Sequence, residues 1–366
     1  MKYDDKLIPL SQMSNTSWNP SADPFSFFTY AVYSAARTFV RPKNLYERTF
    51  RLRTHILGGS NPVVQCGTEL IFKKGGVILE HPLVSVVIPA YNRPHTLKIA
   101  IDSVLEQTYP NIEIIICDDS SNNEVQQMLE AAYLQSYPQI KYHKNEKNLF
   151  LENWHKCFGL ASGEYINYLM DDDVFHKEKI SKMLYFFNEI ENITLVTSYR
   201  QTINESGSFL APIAATVRLY EETRVMDGKM LGNIALTRCL NVIGEPTTVL
   251  FKKTDLTEPF GVYRGKQYSL INDMATWLSL LSKGKAVYIP EALSYFRLHA
   301  NQNNSTLGFK AFSEWLDMTI ASREEGFLET EELYKIALLA YRKRVQGYPQ
   351  FAADIQRIDT ILKTIE

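Results

Sequence analysis

Short apolar runs alternate with amphipathic segments between residues 83 and 198 of this 366-residue chain. Continuous apolar runs predict strands that are buried on both faces, and apolar side chains at 3.6-residue spacing predict helices. The predicted strands occupy residues 83–89, 112–117, 140–143, 165–170 and 193–198. The predicted helices occupy residues 95–108, 123–134, 149–161 and 176–190. This alternation is typical of a parallel, doubly wound sheet, so we predict an α/β fold.

The alternation weakens beyond residue 200. We predict short extended segments there at 249–251, 286–289 and 293–298, and one helix at 271–282. From residue 308 onward the apolar spacing is helical only. That region is expected to be a helical cap or an oligomerisation element, which leaves a homo-oligomer through the terminal helices open.

The first 80 residues differ from the rest of the chain. Residues 24–57 are predicted to be helical and carry the basic side chains Arg37, Arg41, Lys43, Arg48, Arg51 and Arg53. A β-like pair is predicted at 63–72 and 76–79. A basic amphipathic helix can bind a membrane surface or an acidic partner, but a solvated face packed on its own protein is the favoured interpretation. The predicted organisation is a partly helical N-terminal extension (1–80), an α/β domain (81–305) and a C-terminal helical region (306–366).

Composition narrows the class of protein. Hydrophobic residues at 45% and charged residues at 22% are ordinary globular values, and a net charge of −2 argues against a general nucleic-acid binder. The four cysteines show no metal-finger spacing, and three lie in apolar segments, so a reducing compartment is expected. No signal peptide is visible, and the apolar stretch at 24–37 is shorter than the roughly 20 residues of a membrane-spanning helix. We therefore expect a cytoplasmic protein with at most peripheral contact at the inner face of the membrane.

Three adjacent carboxylates, those of Asp171, Asp172 and Asp173, directly follow the strand predicted at 165–170. Adjacent like charges repel and call for a counter-charge. Mg²⁺ or Mn²⁺ would supply it, because these ions bridge protein carboxylates to substrate phosphates. The alternative is a solvated acidic turn that caps the helix beginning near His176.

Polar side chains follow three of the predicted strands. Tyr91 and Asn92 follow the first strand, Asp118 and Asp119 the second, and the acidic triplet the fourth. Ligands of open α/β sheets bind outside the carboxyl ends of the strands, where these residues would meet. An aromatic ring can stack on a nucleobase, and a lone carboxylate can accept a hydrogen bond from a nucleobase N–H. A metal ion can bind a diphosphate. The chain has no GxGxxG and no P-loop, so the metal is expected to manage the phosphates of a nucleotide diphosphate.

Three segments resemble the family 2 glycosyltransferases, which are inverting enzymes of GT-A fold. The segments are VSVVIPAYNR at 84–93, SVLEQTYPNIEIIICDDS at 103–120 and ASGEYINYLMDDD at 161–173. They match the family in order and spacing, and the resemblance covers about residues 82–305. It implies a Rossmann-like, mostly parallel sheet. It also implies a nucleotide-sugar donor, usually a UDP-sugar, and a hydroxyl acceptor on a glycan, a lipid-linked intermediate or a protein.

The resemblance also implies roles for individual residues on the donor side. The nucleoside would be bound by Pro89, Ala90, Tyr91, Asn92, Asp118 and Asp119, with the Tyr91 ring against the base and Asp119 accepting from it. Asp172 would be the main metal ligand of a DxD-type motif, with Asp173 as a second ligand and Asp171 near the ribose or sugar. Many members have Asp where this chain has Met170, so the division of roles within the triplet stays open. The alternative for Tyr91 is a packed surface aromatic.

An inverting mechanism needs a general base that takes the proton of the acceptor hydroxyl. The resemblance places it at the start of a helix near residues 270–277, which makes Asp273 the candidate, with Asn272 where many members have an acid. The alternative is that Asp273 only caps its helix. Glu245 would bind acceptor or donor hydroxyls. Arg297 would approach the diphosphate, and His299 would be a third metal ligand or a structural histidine.

Taken together, these expectations describe a metal-dependent, inverting, hexosyltransferase-type enzyme that uses Mn²⁺ or Mg²⁺. Two alternatives stay open. A sugar-phosphate nucleotidyltransferase would share the sheet and the metal, but it needs a glycine-rich basic loop after the first strand, which residues 89–93 do not supply. A non-catalytic nucleotide-binding subunit would bind nucleotide without turnover.

Overall fold

The computed structural model describes residues 81–299 and 304–365. The predicted N-terminal extension, with its basic helix and its β-like pair, lies outside the described residues. The strands are β1 Val84–Ala90, β2 Ile112–Asp118, β3 Ile140–Lys144, β4 Tyr165–Tyr168, β5 Val174–Phe175, β6 Ile193–Ile203, β7 Arg224–Asp227, β8 Leu250–Lys252, β9 Val262–Tyr263, β10 Lys266–Gln267 and β11 Lys285–Arg297.

The helices lie between these strands and after them. They are α1 Pro94–Leu105, α2 Glu124–Ala132, α3 Leu151–Leu160, α4 Lys179–Glu189, α5 Gly228–Arg238, α6 Asn272–Leu281, α7 Asn304–Ser322, α8 Glu331–Val345 and α9 Ala352–Thr364. Short 3₁₀ turns occupy Ala214–Thr216, Pro246–Thr248, Lys253–Asp255, Arg323–Glu325 and Pro349–Phe351.

One mixed sheet organises the described part of the chain. Its strand order is β3-β2-β1-β4-β8-β6-β11-β5, and β7 also pairs with β11. The strands β3, β2, β1 and β4 are mutually parallel, and β11 is parallel to β6. Strand β8 is antiparallel to both of its neighbours, β4 and β6. The prediction of a doubly wound, mostly parallel sheet is therefore confirmed, with antiparallel insertions from β5, β7 and β8.

Both faces of the sheet are buried. In β1, Val84, Val86 and Ile88 belong to one apolar cluster and Val87 to the other, because successive side chains point to opposite faces. The first cluster includes side chains of α1, α2 and α4, and the second includes those of α3, α5 and α6. The continuous apolar runs of the sequence thus follow from burial on two sides.

The register of the parallel strands brings the chemically active segments to one edge. Ala90 at the end of β1 lies opposite Asp118 at the end of β2. Tyr168 at the end of β4 lies opposite Val87, and the Leu169 N–H continues the ladder by donating to the Val87 carbonyl. The residues that follow each strand therefore leave the sheet at the same edge.

Helix α5 was not predicted, because glycines interrupt its apolar pattern. A Cβ added at Gly232 would lie 2.3 Å from the Phe327 ring, and one at Gly228 would lie 2.2 Å from the Leu281 carbonyl oxygen. Close packing therefore favours glycine at positions where helix propensity alone disfavours it. The Asp227 carboxylate begins the helix by accepting from the N–H groups of Lys229 and Met230.

The helices after residue 304 pack on the same apolar cluster as α5 and α6. Leu316, Leu338 and Ile358 are fully buried in that cluster. Ile336 and Leu339 on α8 stay exposed, and self-association through these helices remains a prediction. Within the described residues, no helix is both long enough and apolar enough to span a bilayer.

Candidate functional site

A tight turn after β1 fixes the position of Tyr91. Asn92 has φ 54°, in the left-handed region that asparagine tolerates better than most residues. Its N–H donates to the Ser120 hydroxyl at 2.7 Å, and its side-chain oxygen accepts from the Ser121 N–H at 3.0 Å. The ends of β1 and β2 are thereby joined, and the Tyr91 side chain stays 45% exposed at the edge of the sheet. Pro89 and Ala90, the two preceding residues, are buried in β1.

The two carboxylates that follow β2 differ in their surroundings. Asp118 is fully buried; its Oδ1 accepts from the Ser120 N–H at 2.8 Å, and its Oδ2 accepts from the Tyr142 hydroxyl at 2.8 Å and from Lys144 Nζ at 3.1 Å. These contacts give Asp118 a structural role in holding the loop, and they do not support the predicted contact with nucleotide.

The neighbouring Asp119 is held from three sides. Its N–H donates to the Ala90 carbonyl at 2.9 Å, beside Tyr91. Its Oδ1 accepts from Asn145 Nδ2 at 2.7 Å, and its Oδ2 accepts from the N–H groups of Leu149 and Phe150 at 3.0 and 3.1 Å. A carboxylate offers about four acceptor positions, so Asp119 retains capacity for a ligand donor while its orientation is fixed.

The acidic triplet has a protein counter-charge that sequence reasoning missed. Arg93 Nη1 lies 2.8 Å from Asp171 Oδ1 and 3.3 Å from Asp172 Oδ2. Asp171 Oδ2 also accepts from the Tyr91 N–H at 2.9 Å. Burial raises the pKa of Asp171 to about 6, and the Asp172 charge adds to this rise while Arg93 opposes it. Arg93 therefore compensates part of the negative charge of the triplet. The sequence signal for this counter-charge was the position of Arg93 at the end of the segment that follows β1.

Asp173 and Arg297 support each other within the site. Asp173 Oδ1 accepts from the Arg297 N–H at 2.9 Å, and Oδ2 accepts from the Thr247 hydroxyl at 2.5 Å. Burial raises the pKa of Asp173 well above its ordinary value. Because Asp173 is almost fully buried and its raised pKa disfavours the charged form that binds a metal, we leave Asp173 out of the proposed metal ligands.

The guanidinium of Arg297 donates hydrogen bonds to main-chain carbonyls, one of which belongs to the acidic triplet. Its Nε donates to the Asp172 carbonyl at 2.6 Å, and its Nη1 donates to the carbonyls of Asn204 and Glu205 at 2.9 Å. The side chain is almost fully buried. These contacts favour a positioning role for Arg297 over the predicted contact with the diphosphate.

Asp172 and His299 form the pair best suited to a cation. His299 Nε2 lies 2.8 Å from Asp172 Oδ2. No group of three or more His, Cys, Asp or Glu side chains is arranged to hold a metal within residues 81–299 and 304–365. The carboxylate suits Mg²⁺ or Mn²⁺, whereas imidazole is a softer ligand. The pair therefore fits a cation whose remaining ligands are substrate phosphates and water, as is common for Mg²⁺, and does not form a complete protein cage.

Asp273 lies in the first turn of α6, where a carboxylate is favoured by the helix dipole. Its Oδ2 accepts from Asn241 Nδ2 at 2.7 Å, and its Oδ1 accepts from the N–H of Met274 at 2.7 Å. Burial raises the pKa of Asp273 to about 7, and the Glu245 carboxylate adds to the rise. A carboxyl group with this pKa can accept a proton near neutral pH. The alternative role at the helix start is compatible with the same contacts.

Residues 241–247, which we call the connecting turn, join Asp273 to the acidic triplet. Asn241 bonds to Asp273 at one end, and Thr247 bonds to Asp173 at the other. Between them, Glu245 accepts from Nε and Nη2 of the buried Arg200 at 2.6 and 3.2 Å. The connecting turn therefore fixes the candidate base relative to the candidate nucleotide-binding edge.

Arg200 and Thr247 were not predicted as site residues. Arg200 is in β6, and its partner Glu245 follows 45 positions later. Thr247 bonds to Asp173 across 74 positions. No local sequence pattern predicts contacts between residues so far apart in the chain, so sequence reasoning had no signal for either residue.

Comparison with known proteins gives relatives that are named as glycosyltransferases. The model of the family described as "Glycosyl transferase family 2" matches residues 85–239. The chain is 30% identical over 231 residues to the Escherichia coli protein named UDP-Glc:alpha-D-GlcNAc-diphosphoundecaprenol beta-1,3-glucosyltransferase WfaP, covering 60% of this chain and 78% of that protein. It is 28% identical over 236 residues to the putative teichuronic acid biosynthesis glycosyltransferase TuaG of Bacillus subtilis, covering 64% and 86%.

Longer relatives match over only part of their length. An uncharacterized glycosyltransferase of Rickettsia felis is 29% identical over 262 residues, which are 69% of this chain and 39% of the relative. Among solved structures, S. aureus TarS 1-349 in complex with UDP-GlcNAc superposes with a TM-score of 0.55 at 15% identity, covering 72% of this chain and 73% of the other. That likeness establishes the GT-A fold. The match to the E. coli protein, at 30% identity over 78% of its length, shows that the chain belongs to glycosyl transferase family 2.

Proposed function

We propose that this protein is a metal-dependent, inverting glycosyltransferase that moves a sugar from a UDP-sugar to a hydroxyl of a lipid-linked glycan. The observation that carries the proposal is the connecting turn, which ties Asp273 to Asp173 through two side-chain hydrogen bonds of 2.7 and 2.5 Å. A candidate base and a candidate diphosphate site are thus held in one rigid arrangement. Such positioning is a large source of catalysis.

The donor side supports a UDP-sugar. Tyr91 offers an exposed ring, and Asp119 is a fixed carboxylate that retains acceptor capacity for a base N–H. The E. coli relative is named for UDP-Glc, and TarS structures contain UDP and UDP-GlcNAc. We therefore assign the nucleoside to the edge formed by the ends of β1 and β2.

The chain's own residues account for the proton transfer. Asp273 would take the proton of the acceptor hydroxyl as that oxygen attacks the anomeric carbon of the donor sugar. The bond between the anomeric carbon and the diphosphate oxygen breaks at the same time, UDP leaves with its electron pair, and the configuration inverts. The Glu245 carboxylate beside Asp273 disfavours its charged form and so makes it the stronger base.

The departing diphosphate needs positive charge nearby. Asp172 and His299 would hold a divalent cation, which supplies Lewis-acid stabilisation of the leaving group when bound. Arg93 already lies against Asp171 and Asp172 and would remain as a second positive group at this place. Arg297 would keep the acidic segment in register through its bonds to main-chain carbonyls.

The acceptor proposal follows from the relatives. The E. coli relative is named for a GlcNAc-diphosphoundecaprenol acceptor. An acceptor of that kind brings a sugar hydroxyl attached to a membrane lipid. A glycan or a protein hydroxyl would use the same base, so the acceptor class is decided by assay.

The test is release of nucleotide from UDP-, GDP- and dTDP-sugars with Mn²⁺, with and without a chelator and with and without a GlcNAc-diphospho-lipid acceptor. We expect chelator-sensitive UDP release that the acceptor accelerates, and a product of inverted anomeric configuration by NMR. Pyrophosphate formed from UTP and a sugar phosphate would replace the proposal with a nucleotidyltransferase. Metal-dependent UDP binding without turnover on any acceptor would replace it with a non-catalytic subunit.

A further inference from the structure

Phe150 has a backbone conformation that a bulky side chain rarely adopts. It immediately precedes α3, with φ 52° and ψ −118°. Positive φ costs little for glycine and more for a residue with a large side chain. Conformations of this kind persist where the surroundings enforce them, and they cluster at ligand-binding sites. The position therefore calls for a reason to keep a phenylalanine.

Packing does not supply that reason. The Phe150 side chain is 75% exposed, which makes it the most exposed of the large hydrophobic residues in the described part of the chain. Within that part, its ring neither stacks on another aromatic ring nor contacts a cation. A glycine would relieve the strain at this position and would remove little buried area. The ring is thus retained at a cost to folding without a visible gain in folding.

The main chain of Phe150 is hydrogen-bonded to Asp119, the carboxylate assigned to the nucleobase. Its N–H donates to Asp119 Oδ2 at 3.1 Å and also to Asn148 Oδ1 at 2.8 Å. The Leu149 N–H donates to the same Asp119 oxygen at 3.0 Å. On the other side, the Asp119 N–H donates to the Ala90 carbonyl, which immediately precedes Tyr91. Asp119 is therefore hydrogen-bonded to the main chain of exposed Phe150 and to that of Ala90, the residue before exposed Tyr91.

We propose that Phe150 is a donor-binding residue, whose ring gives the nucleobase a second aromatic surface in addition to Tyr91. The inference rests on the proposed function, because it assigns the base of the UDP-sugar to Asp119. A base held by a carboxylate at its N–H edge leaves its two faces free for apolar contact. Base–aromatic contacts contribute enough to change affinity about fivefold or more. The proposal explains why a strained, solvent-facing phenylalanine is kept at this point.

The test combines stability and affinity, which move in opposite directions only if the ring serves a ligand. In Phe150→Gly we expect a higher Tm, because the strain is relieved. We also expect the Kd for UDP, measured by calorimetry, and the KM for the donor to rise about fivefold or more. The kcat at saturating donor should change little. Phe150→Tyr should keep the wild-type Kd.

Phe209→Ala is the matched control, since Phe209 is a comparably exposed phenylalanine that stacks on Tyr295. Its Kd for UDP should equal that of the wild type. An unchanged Kd in Phe150→Gly, or a Kd that rises only together with a lower Tm, would overturn the inference. The proposed function survives that result as long as the wild type binds UDP. Failure of the wild type to bind UDP would overturn both.

Discussion

The proposed nucleotide side and the proposed acceptor side of the site use carboxylates in different ways. On the nucleotide side, hydrogen bonds and ion pairs from Tyr142, Lys144 and Arg93 hold Asp118 and Asp171 in place. On the acceptor side, Asp273 accepts from one amide side chain and one main-chain N–H, and no cation lies within ion-pair distance of it among the described residues. The bonds on the nucleotide side fix the orientation of its carboxylates. The arrangement on the acceptor side leaves a carboxyl group that can exchange a proton.

The difference follows from what each side has to do. A binding surface for a nucleotide works best when its groups are already oriented, since ordering them on binding costs affinity. A general base works best when its pKa lies near the operating pH. Burial and the neighbouring Glu245 raise the pKa of Asp273 to about 7, whereas on the nucleotide side Arg93 opposes the effect of burial and the pKa of Asp171 is raised only to about 6. Five measurements test this contrast.

The largest effect is expected for Asp273→Asn. Loss of the base should lower the rate of acceptor-dependent transfer by about 10²–10⁴-fold, with the Kd for UDP unchanged. The measurement is UDP release with acceptor, beside calorimetry with UDP. Glu222→Gln, at an exposed position, serves as the control for a lost carboxylate. Transfer at the wild-type rate in Asp273→Asn would remove the general-base assignment.

The same variant carries a stability prediction with a defined sign. The pKa of Asp273 is raised from its ordinary 3.8 to about 7 in the folded protein, so between these values the native state binds a proton that the unfolded state lacks. Stability from this group is complete below about pH 4 and is lost as pH rises to 7. Asp273→Asn should therefore be more stable than wild type at pH 8, by on the order of 1–3 kcal/mol, and show little difference at pH 4. Denaturant unfolding at both values is the check.

A second large effect is expected for Asp172→Ala. The variant should lose about 10²-fold or more of turnover at saturating donor, because the diphosphate would lose its cation. Binding of Mn²⁺ in the presence of UDP, followed by calorimetry, should weaken in parallel. Asp173→Asn should instead mainly lower stability, since both of its oxygens are bound by protein donors. Equal loss of metal binding in the two variants would contradict this division of the triplet.

A smaller effect concerns the pH dependence of the wild type. Transfer requires Asp273 in its charged form, so kcat should rise with pH and level off near 7. About tenfold is expected for each pH unit below that value. The pH profile of kcat with saturating donor and acceptor is the measurement. A flat profile between pH 5 and 8 would show that another group takes the proton.

The smallest effect is expected for Arg93→Gln. Removing the cation from Asp171 and Asp172 should lower stability by about 1 kcal/mol, since Arg93 is partly exposed and solvent weakens its ion pairs. Mn²⁺ should raise the Tm of this variant more than that of the wild type, because a metal would replace the missing charge. Equal Tm shifts in both proteins would show that Arg93 and a metal do not share this role.

The sequence determined the sheet and the place of the site. The apolar runs of β1, β2 and β4 are long and buried on both faces, so their period and their ends were predicted to within a few residues. The convergence of the strand-end polar residues followed from parallel topology. Helix α5 was missed because its glycines serve packing against Phe327 and Leu281, and no local pattern carries that information.

The tertiary structure alone decided which carboxylates are available for chemistry. In sequence, Asp118 resembles Asp119, and Asp172 resembles Asp173. Asp118 pairs with the Lys144 cation, whereas Asp119 accepts from uncharged N–H groups. Asp173 accepts from Thr247 and from the Arg297 N–H, whereas Asp172 lies beside His299. Such partners are set by how strands and turns meet, and local periodicity does not encode that meeting. The raised pKa of Asp273 has the same origin, because burial and the neighbouring Glu245 exist only once the connecting turn is folded against α6.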